Sequence, residues 1–265
     1  MSVVDVAAAS RVQSGGGAGS TGRWRKAAGR YLTMPLVLAA VCLALYAYVS
    51  SQTLDTIEAR ALSTERLTTA IWQHVQLTAV STLCTLVIAV PLGVLLSRRF
   101  ARWFRPYLIT LLTLGQAVPT IAILVILAVA FLFLGFNAAI VGLTAYAIVP
   151  VLLNTIVGLE QVDRSVLEAG RGMGMSRFTV LRKIELPLAV PVILAGIRTA
   201  LVINVGTATL VTYINAGGLG DVIVAGLTTN RFVVQLVGAT LTAVLALTID
   251  YLAGLAEDIL RPRGL

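Results

Sequence analysis

Apolar runs and short polar intervals alternate along this 265-residue chain. A helix that crosses a bilayer needs about 20 predominantly apolar residues, within a range of about 17–25. The runs at 32–49, 71–96, 106–134, 138–157, 188–214 and 232–255 reach that length and predict an all-α, polytopic membrane protein with six transmembrane helices. One run is too long for a simple span. Residues 106–134 are interrupted by Gly115-Gln116 and Pro119, and read either as two short spans or as one broken span. One interval is too charged for a simple hinge. Residues 160–187 set Arg164, Arg171, Arg177, Arg182 and Lys183 against Glu160, Asp163, Glu168 and Glu185.

Charge chooses between the two readings of 106–134. Cytoplasmic loops carry an excess of Lys and Arg. With one broken crossing, the inside receives sixteen of the 20 basic residues, from the N-terminal tail, residues 98–105, the interval 160–187 and the C-terminal tail. The outside receives Arg60, Arg66 and Arg231. With two crossings the cations of 160–187 would move outside, so the single crossing is preferred, with both termini and the charged interval in the cytoplasm. Composition agrees with a membrane protein. The chain is 58% hydrophobic and 12% charged, with a mean hydropathy of +0.92, whereas about a quarter of residues are charged in soluble domains. The net charge of +8 follows from the loop bias, and no RNA or DNA module fits between the apolar runs, so no nucleic-acid partner is expected. Cys42 and Cys84 lie inside apolar runs as small hydrophobes and imply neither a disulfide nor a metal site.

Four parts are expected. Residues 1–30, with a Gly/Ser-rich tract followed by Arg23, Arg25, Lys26 and Arg30, read as a flexible basic cytoplasmic tail. Residues 31–69 hold an N-terminal helix and a polar external segment. The helix is long for the h-region of a cleaved signal and reads as an uncleaved signal anchor. Residues 70–256 form the main transmembrane domain, and 257–265 a cytoplasmic tail with Arg261 and Arg263. Trp72 and His74 stand at one boundary of the second span and Arg98, Arg99, Arg102 and Arg105 just past the other. His74, the sole histidine, is expected to be an interfacial polar residue, not a ligand or base.

Within the charged interval, Ser165-x-x-Glu168 has the form of a capping box, so a helix is expected to start near Ser165. Gly170, Gly172 and Gly174 each weaken a helix by about 1 kcal/mol and call for an early end and a sharp turn. A second helix fits 176–185, with Phe178, Leu181 and Ile184 on one face and Pro187 closing it. This describes a two-helix knob around a glycine turn. An amphipathic loop lying on lipid headgroups is the plainer alternative.

The interval resembles the cytoplasmic EAA loop of ABC importer permeases. Glu168-Ala169-Gly170, three residues, Gly174, nine residues and Ile184-x-Leu186-Pro187 stand at that spacing, with Gly170 in place of the second alanine. Further matches run from about 70 to 255 and resemble the permeases of osmoprotectant importers. They include Gly115-Gln116-Ala117-Val118-Pro119-Thr120, Tyr146-Ala147-Ile148-Val149-Pro150 with Asn154-Thr155, Ala195-Gly196-Ile197-Arg198 and Ala216-Gly217-Gly218-Leu219-Gly220. Asn215 stands where glycine is usual. The resemblance implies a five-helix importer permease core plus one N-terminal helix, in the cell membrane of a bacterium. It implies that Glu168, Ala169, Gly170, Gly174, Ile184, Leu186 and Pro187 couple to a cytoplasmic ATP-binding subunit. Further implied partners are an external substrate-binding protein, a second permease copy or homologous permease, and membrane lipid. ATP would be used by the partner subunit, and no cofactor would be bound by this chain. The implied cargo is glycine betaine, choline, carnitine or a similar quaternary amine, with another small solute such as an amino acid as the alternative.

Polar groups that hydrocarbon penalises are candidates for a substrate path: Gln116, Asn154, Asn204, Thr207 and Thr209, with Pro119 at a bend. Arg198 and Asp250 are intramembrane charges that either line the path or pair to hold two spans together, and pairing is the favoured reading. An aromatic cage suits a quaternary amine, but aromatic residues make up only 6% of the chain, and Tyr146, Tyr213 and Phe232 form no cage by sequence criteria. Substrate choice is therefore expected to reside mainly in the binding protein. The sequence has no GxxxxGK[ST] motif, no second histidine and no nucleophile motif with a base, so no catalytic site is expected. An ion-coupled secondary carrier is a further alternative. The lack of a convincing internal repeat, and Asp250 as the sole acidic residue inside a span, argue against it.

Overall fold

The computed structural model describes residues 20–260, with side chains from Leu32 onward. The first part of the expected tail, and Arg261 and Arg263, lie outside the described residues. Two compact units divide at Ala44. Helix α1 (Ser20–Ser50) crosses that division and starts before the expected boundary at 31; its segment Leu32–Ser50 is long and apolar enough to span.

In the second unit, α2 (Thr56–Ala61) opens on a complete capping box: Asp55 accepts from the Ile57 and Glu58 amides, and Glu58 accepts from the Asp55 amide at 3.0 Å. Helix α3 (Thr64–Leu96) begins at Thr64 instead of Ile71. No Gly or Pro interrupts residues 64–70, and Glu65 suits the first turn, so the helix continues out of the apolar run. Next come a 3₁₀ turn (Arg99–Ala101), α4 (Arg105–Gln116) and α5 (Thr120–Ala130). Helix α6 (Phe136–Glu160) leads to α7 (Arg164–Gly172) and α8 (Arg177–Val180). A π turn (Leu181–Glu185) carries α8 into α9 (Leu186–Thr207). A 3₁₀ segment (Leu210–Ile214), α10 (Leu219–Thr228) and α11 (Phe232–Leu260) complete the described chain. The short apolar helix α10 falls between the expected runs 188–214 and 232–255.

Among the described residues, five continuous stretches are long enough to cross a bilayer, and α4 with α5 forms one further apolar pair bent by 87°. Cross-chain contacts decide how that pair crosses. Arg98, just past α3, bonds Glu185 at the start of α9, and Arg105, at the start of α4, bonds Glu160 at the end of α6. These four residues share one side of the membrane. The Gly135 amide, between α5 and α6, donates to Ile214 O, beyond the far end of α9, at 2.8 Å. Gly135 is therefore on the opposite side from Arg105, and α4–α5 crosses once. The six-span expectation is met by five continuous helices and one broken span.

Small residues let α3, α6 and α9 approach closely, as packing between membrane helices requires. A Cβ at Gly196 would lie 2.6 Å from Asn154 Cβ, and one at Gly93 2.6 Å from Thr155 Cβ. Ala89, Ala147, Val151, Leu152 and Ala200 fill the resulting seam. Pro150 inside α6 cannot donate to the Tyr146 carbonyl. Gln116, at the end of α4, donates to that oxygen from Nε2 at 3.2 Å, so the broken span satisfies the backbone group that a proline left open.

Candidate functional site

The charged interval is a two-helix knob, as expected, with three local differences. Asp163, not Ser165, caps α7, accepting from the Ser165 amide at 2.8 Å. Either residue offers a suitable oxygen, and Asp163 takes the position because the chain leaves α6 at Gln161 and turns there. Bonds from the Ser165 amide and hydroxyl hold the Asp163 carboxyl below the ordinary carboxylate range. The turn falls at Gly174, whose φ of +82° is the left-handed region that favours glycine. Ser176 caps α8, accepting from the Thr179 amide at 3.2 Å. Pro187 does not close this helix. It lies in the first turn of α9, where its missing N–H is absorbed by the π turn: the Leu186 amide bonds Leu181 O, five residues back.

The seven motif residues do not share one surface. Glu168, Ala169 and Gly174 are exposed, as are the apolar side chains of Val166, Met173 and Phe178. Gly170 is buried and looks at Ile184, whose Cδ1 occupies the space a Cβ at 170 would take, 2.6 Å away. The glycine that departs from the EAA pattern is thus matched by a long side chain across the knob. Leu186 packs against the cluster of Leu159, Ala189 and Ile193, and Pro187 opens the span. Phe178 is exposed while Leu181 packs inward, so the single apolar face expected over 176–185 is divided.

The candidate path residues are dispersed. Gln116 serves Tyr146 O, and Pro119 caps α5 at the break. Asn154 donates to Pro150 O of its own helix at 2.8 Å. The hydroxyls of Thr207 and Thr209 turn back to Ile203 O and Gly206 O. Asn204 is fully buried and donates to Thr82 of α3 at 3.0 Å, while its Oδ1 and the nearby helix's Thr78 Oγ1 have no hydrogen-bond partner. Arg198 and Asp250 do come together. Arg198 donates from Nε and Nη2 to both Asp250 oxygens at 2.5 and 2.7 Å, and Glu257 lies 3.9 Å from Nη1. Among the described residues, ring contacts link Phe100 to Phe104 and Trp103 to Phe104, and none joins Tyr146, Tyr213 or Phe232 into a cage.

His74, expected as an interfacial polar residue, is wholly buried in protein and joins three elements. Its Nε2–H donates to Val205 O of α9 at 3.0 Å, and Nδ1 accepts from the Leu219 amide of α10 at 3.2 Å. Gln73 accepts from the adjacent Gly218 amide at 3.0 Å. This clamp holds a turn in which Asn215, Gly217 and Gly218 have φ of 61°, 83° and 97°. Asparagine tolerates that region, which explains how Asn215 replaces the usual glycine. Arg98, Arg105, Glu160 and Glu185 were visible in the sequence only as loop charges; their opposite signs at span boundaries were the available signal of pairing.

This geometry has counterparts among known proteins. The chain is 42% identical over 194 residues to the carnitine transport permease protein OpuCD of Listeria monocytogenes, covering 72% of this chain and 85% of that protein. It is 38% identical over 194 residues to the glycine betaine/carnitine/choline transport system permease protein OpuCD of Bacillus subtilis, covering 72% and 82%. It is 40% identical over 180 residues to the osmoprotectant import permease protein OsmY of Salmonella typhimurium, covering 68% and 76%. The fold matches a chain of the MetNI methionine ABC transporter in an inward-facing conformation, with a TM-score of 0.65, 24% identity and coverage of 74% and 97%. The family model described as "Binding-protein-dependent transport system inner membrane component" matches residues 89–263, and the chain belongs to that family.

Proposed function

We propose that this chain is the permease subunit of an ATP-driven, binding-protein-dependent importer of quaternary-amine osmoprotectants such as glycine betaine, carnitine and choline. The observation that carries the coupling role is the knob. Val166, Met173 and Phe178 are exposed on this charged projection, large apolar side chains that a partner protein would cover. Glu168, Ala169 and Gly174 are exposed on the same projection, and we read it as the seat of the ATP-binding subunit. Sequence similarity to osmoprotectant permeases supports the cargo class. The Lys and Arg bias supports a cytoplasmic knob and cytoplasmic termini in a bacterial cell membrane.

In this reading the permease works as a pair, with a second copy or a homologous chain. An external binding protein selects the cargo. Gln116, Pro119, Asn154, Asn204, Thr207 and Thr209 remain the proposed lining of a gated path, and Arg198 with Asp250 a brace beside it. Closure of the ATP-binding subunits would draw the two knobs together and switch the side to which the path opens.

The test is reconstitution in liposomes with the ATP-binding subunit and the binding protein, followed by uptake of labelled glycine betaine, carnitine and choline. Uptake that requires both ATP and the binding protein is expected. Undiminished uptake without the ATP-binding subunit, driven by an imposed ion gradient, refutes the proposal in favour of a secondary carrier.

A further inference from the structure

Residues 98–105, which link α3 to α4, touch both boundaries of the knob. Arg98 donates from Nη2 to Glu185 at 2.6 Å, at the end of the π turn. Arg105 donates to Glu160, the last residue of α6. The two ion pairs differ in kind. Glu185 is only 4% exposed, and Arg98 is held from behind, with Nε donating to Val94 O at 3.1 Å. One guanidinium thus joins the carboxyl end of α3 to the base of the knob through charge-assisted bonds. The Glu160 side chain, by contrast, is 46% exposed. Between the two pairs, Ala101 is fully buried in the cluster with Ala147, Val151 and Leu152, so the link is packed against the spans it connects.

Glu185 is also where the helix departs from α geometry. Pro187 offers no N–H to Lys183 O, and the Leu186 amide reaches Leu181 O instead. A π turn is a local widening that recurs at functional sites. Here it puts a buried carboxylate at the junction of the knob and α9.

We propose that Arg98 and Glu185 form the transmission contact of the transporter. Displacement of the knob passes through Glu185 to Arg98, moving the end of α3, and through residues 98–105 to α4 and the break before α5. Neither side chain is assigned to cargo or nucleotide; both are positioning residues. The inference rests on the importer reading and names the rod through which its coupling site acts.

The experiment uses the complete reconstituted transporter with unaltered partner subunits. It compares Arg98→Gln, Glu185→Gln and the exchange of Arg98→Glu with Glu185→Arg. Copurification of the ATP-binding subunit, ATP hydrolysis and glycine betaine uptake are measured together. Each single variant is expected to keep its ATP-binding subunit and its ATP hydrolysis while the ratio of uptake to hydrolysis falls about tenfold, within the usual range of coupling between sites. The exchange variant is expected to regain most of that ratio, which a side chain needed only for folding at one position would not produce. Arg105→Gln, whose partner is exposed, is expected to leave the ratio within about twofold.

An unchanged ratio in the single variants overturns the proposal, as does a parallel loss of uptake and hydrolysis that the exchange does not restore. Where a single variant fails to accumulate in the membrane, the exchange variant decides: a ratio near that of the unaltered protein supports the contact, and a tenfold lower one refutes it. Absence of ATP-dependent uptake in the unaltered complex would instead refute the importer reading itself.

Discussion

Replacing Asp250 with asparagine separates a structural brace from a path residue. The change keeps the volume and one acceptor, and removes the charge together with one of the two bonds that Arg198 makes at 2.5 and 2.7 Å. A hydrogen bond to a charged group contributes about 1.5–3 kcal/mol, and removing one partner of a fully buried ion pair costs about 3–5 kcal/mol. The pair is not fully buried: side-chain exposures are 39% for Arg198 and 27% for Asp250, and Glu257 stands near as a second carboxylate. The lower range applies. Asp250→Asn is expected to destabilise the protein by about 2 kcal/mol, roughly a 30-fold change in the folded ratio. Glu257→Gln is expected to change stability by less than about 1 kcal/mol, as for an exposed ion pair. Arg198→Met combined with Asp250→Leu removes both charges and is expected to regain most of the loss, because apolar residues of similar size often replace an ion pair without cost. Reversible unfolding in mixed lipid–detergent micelles measures stability, and uptake in liposomes measures function. A double variant as stable as the original but unable to transport refutes the brace and makes these charges part of the path.

Three further outcomes are expected. Gly174→Ala meets no steric obstacle but must adopt φ of +82°, at a cost of about 1–2 kcal/mol; it should weaken capture of the ATP-binding subunit by up to about 30-fold, while Gly172→Ala, in open space, should not, as a binding titration will show. His74→Ala strands Val205 O and the Leu219 amide, at about 1–3 kcal/mol for each buried group left unpaired; hydrogen exchange at Leu219 should accelerate, and unchanged exchange there contradicts the clamp. The Asp163 cap carries a pH dependence whose sign follows from its depressed folded-state pKa: its contribution is present above the unfolded value of about 3.9 and is lost as pH falls through the folded value. Faster exchange at the Ser165 amide in Asp163→Ala, and protection retained in Asp163→Asn, would confirm that the side-chain oxygen makes the cap.

Much of this architecture was legible because its causes are local or set by the bilayer. Every backbone polar group inside hydrocarbon must be bonded within its own helix or within protein, so a span declares itself as a long apolar run wherever it packs. The break in 106–134 was marked by Gly115-Gln116 and Pro119, and the knob by its charges and by Gly174. Capping was less legible. Asp163 and Ser165 both offer an oxygen, and the end of α6 at Gln161 decides which of them starts α7. Pro187 signalled a helix end, yet a proline is tolerated in a first turn, and the π turn before it let the helix run on. His74 looked interfacial because it stands near the start of an apolar run; its burial depends on a carbonyl and an amide more than a hundred residues away.

By itself the sequence determined how many stretches can span, where the charged knob lies and which side the Lys and Arg bias favours, because hydrophobicity and charge act on each segment separately. Only the tertiary structure decided that α4 and α5 cross once, that Arg198 meets Asp250, and that Arg98 and Glu185, 87 positions apart, bind the knob to α3. Opposite charges in a sequence have many prospective partners. Packing of α3, α6 and α9 brings a few of them within hydrogen-bond distance, and the cost of leaving a buried charge alone then fixes which pairs form.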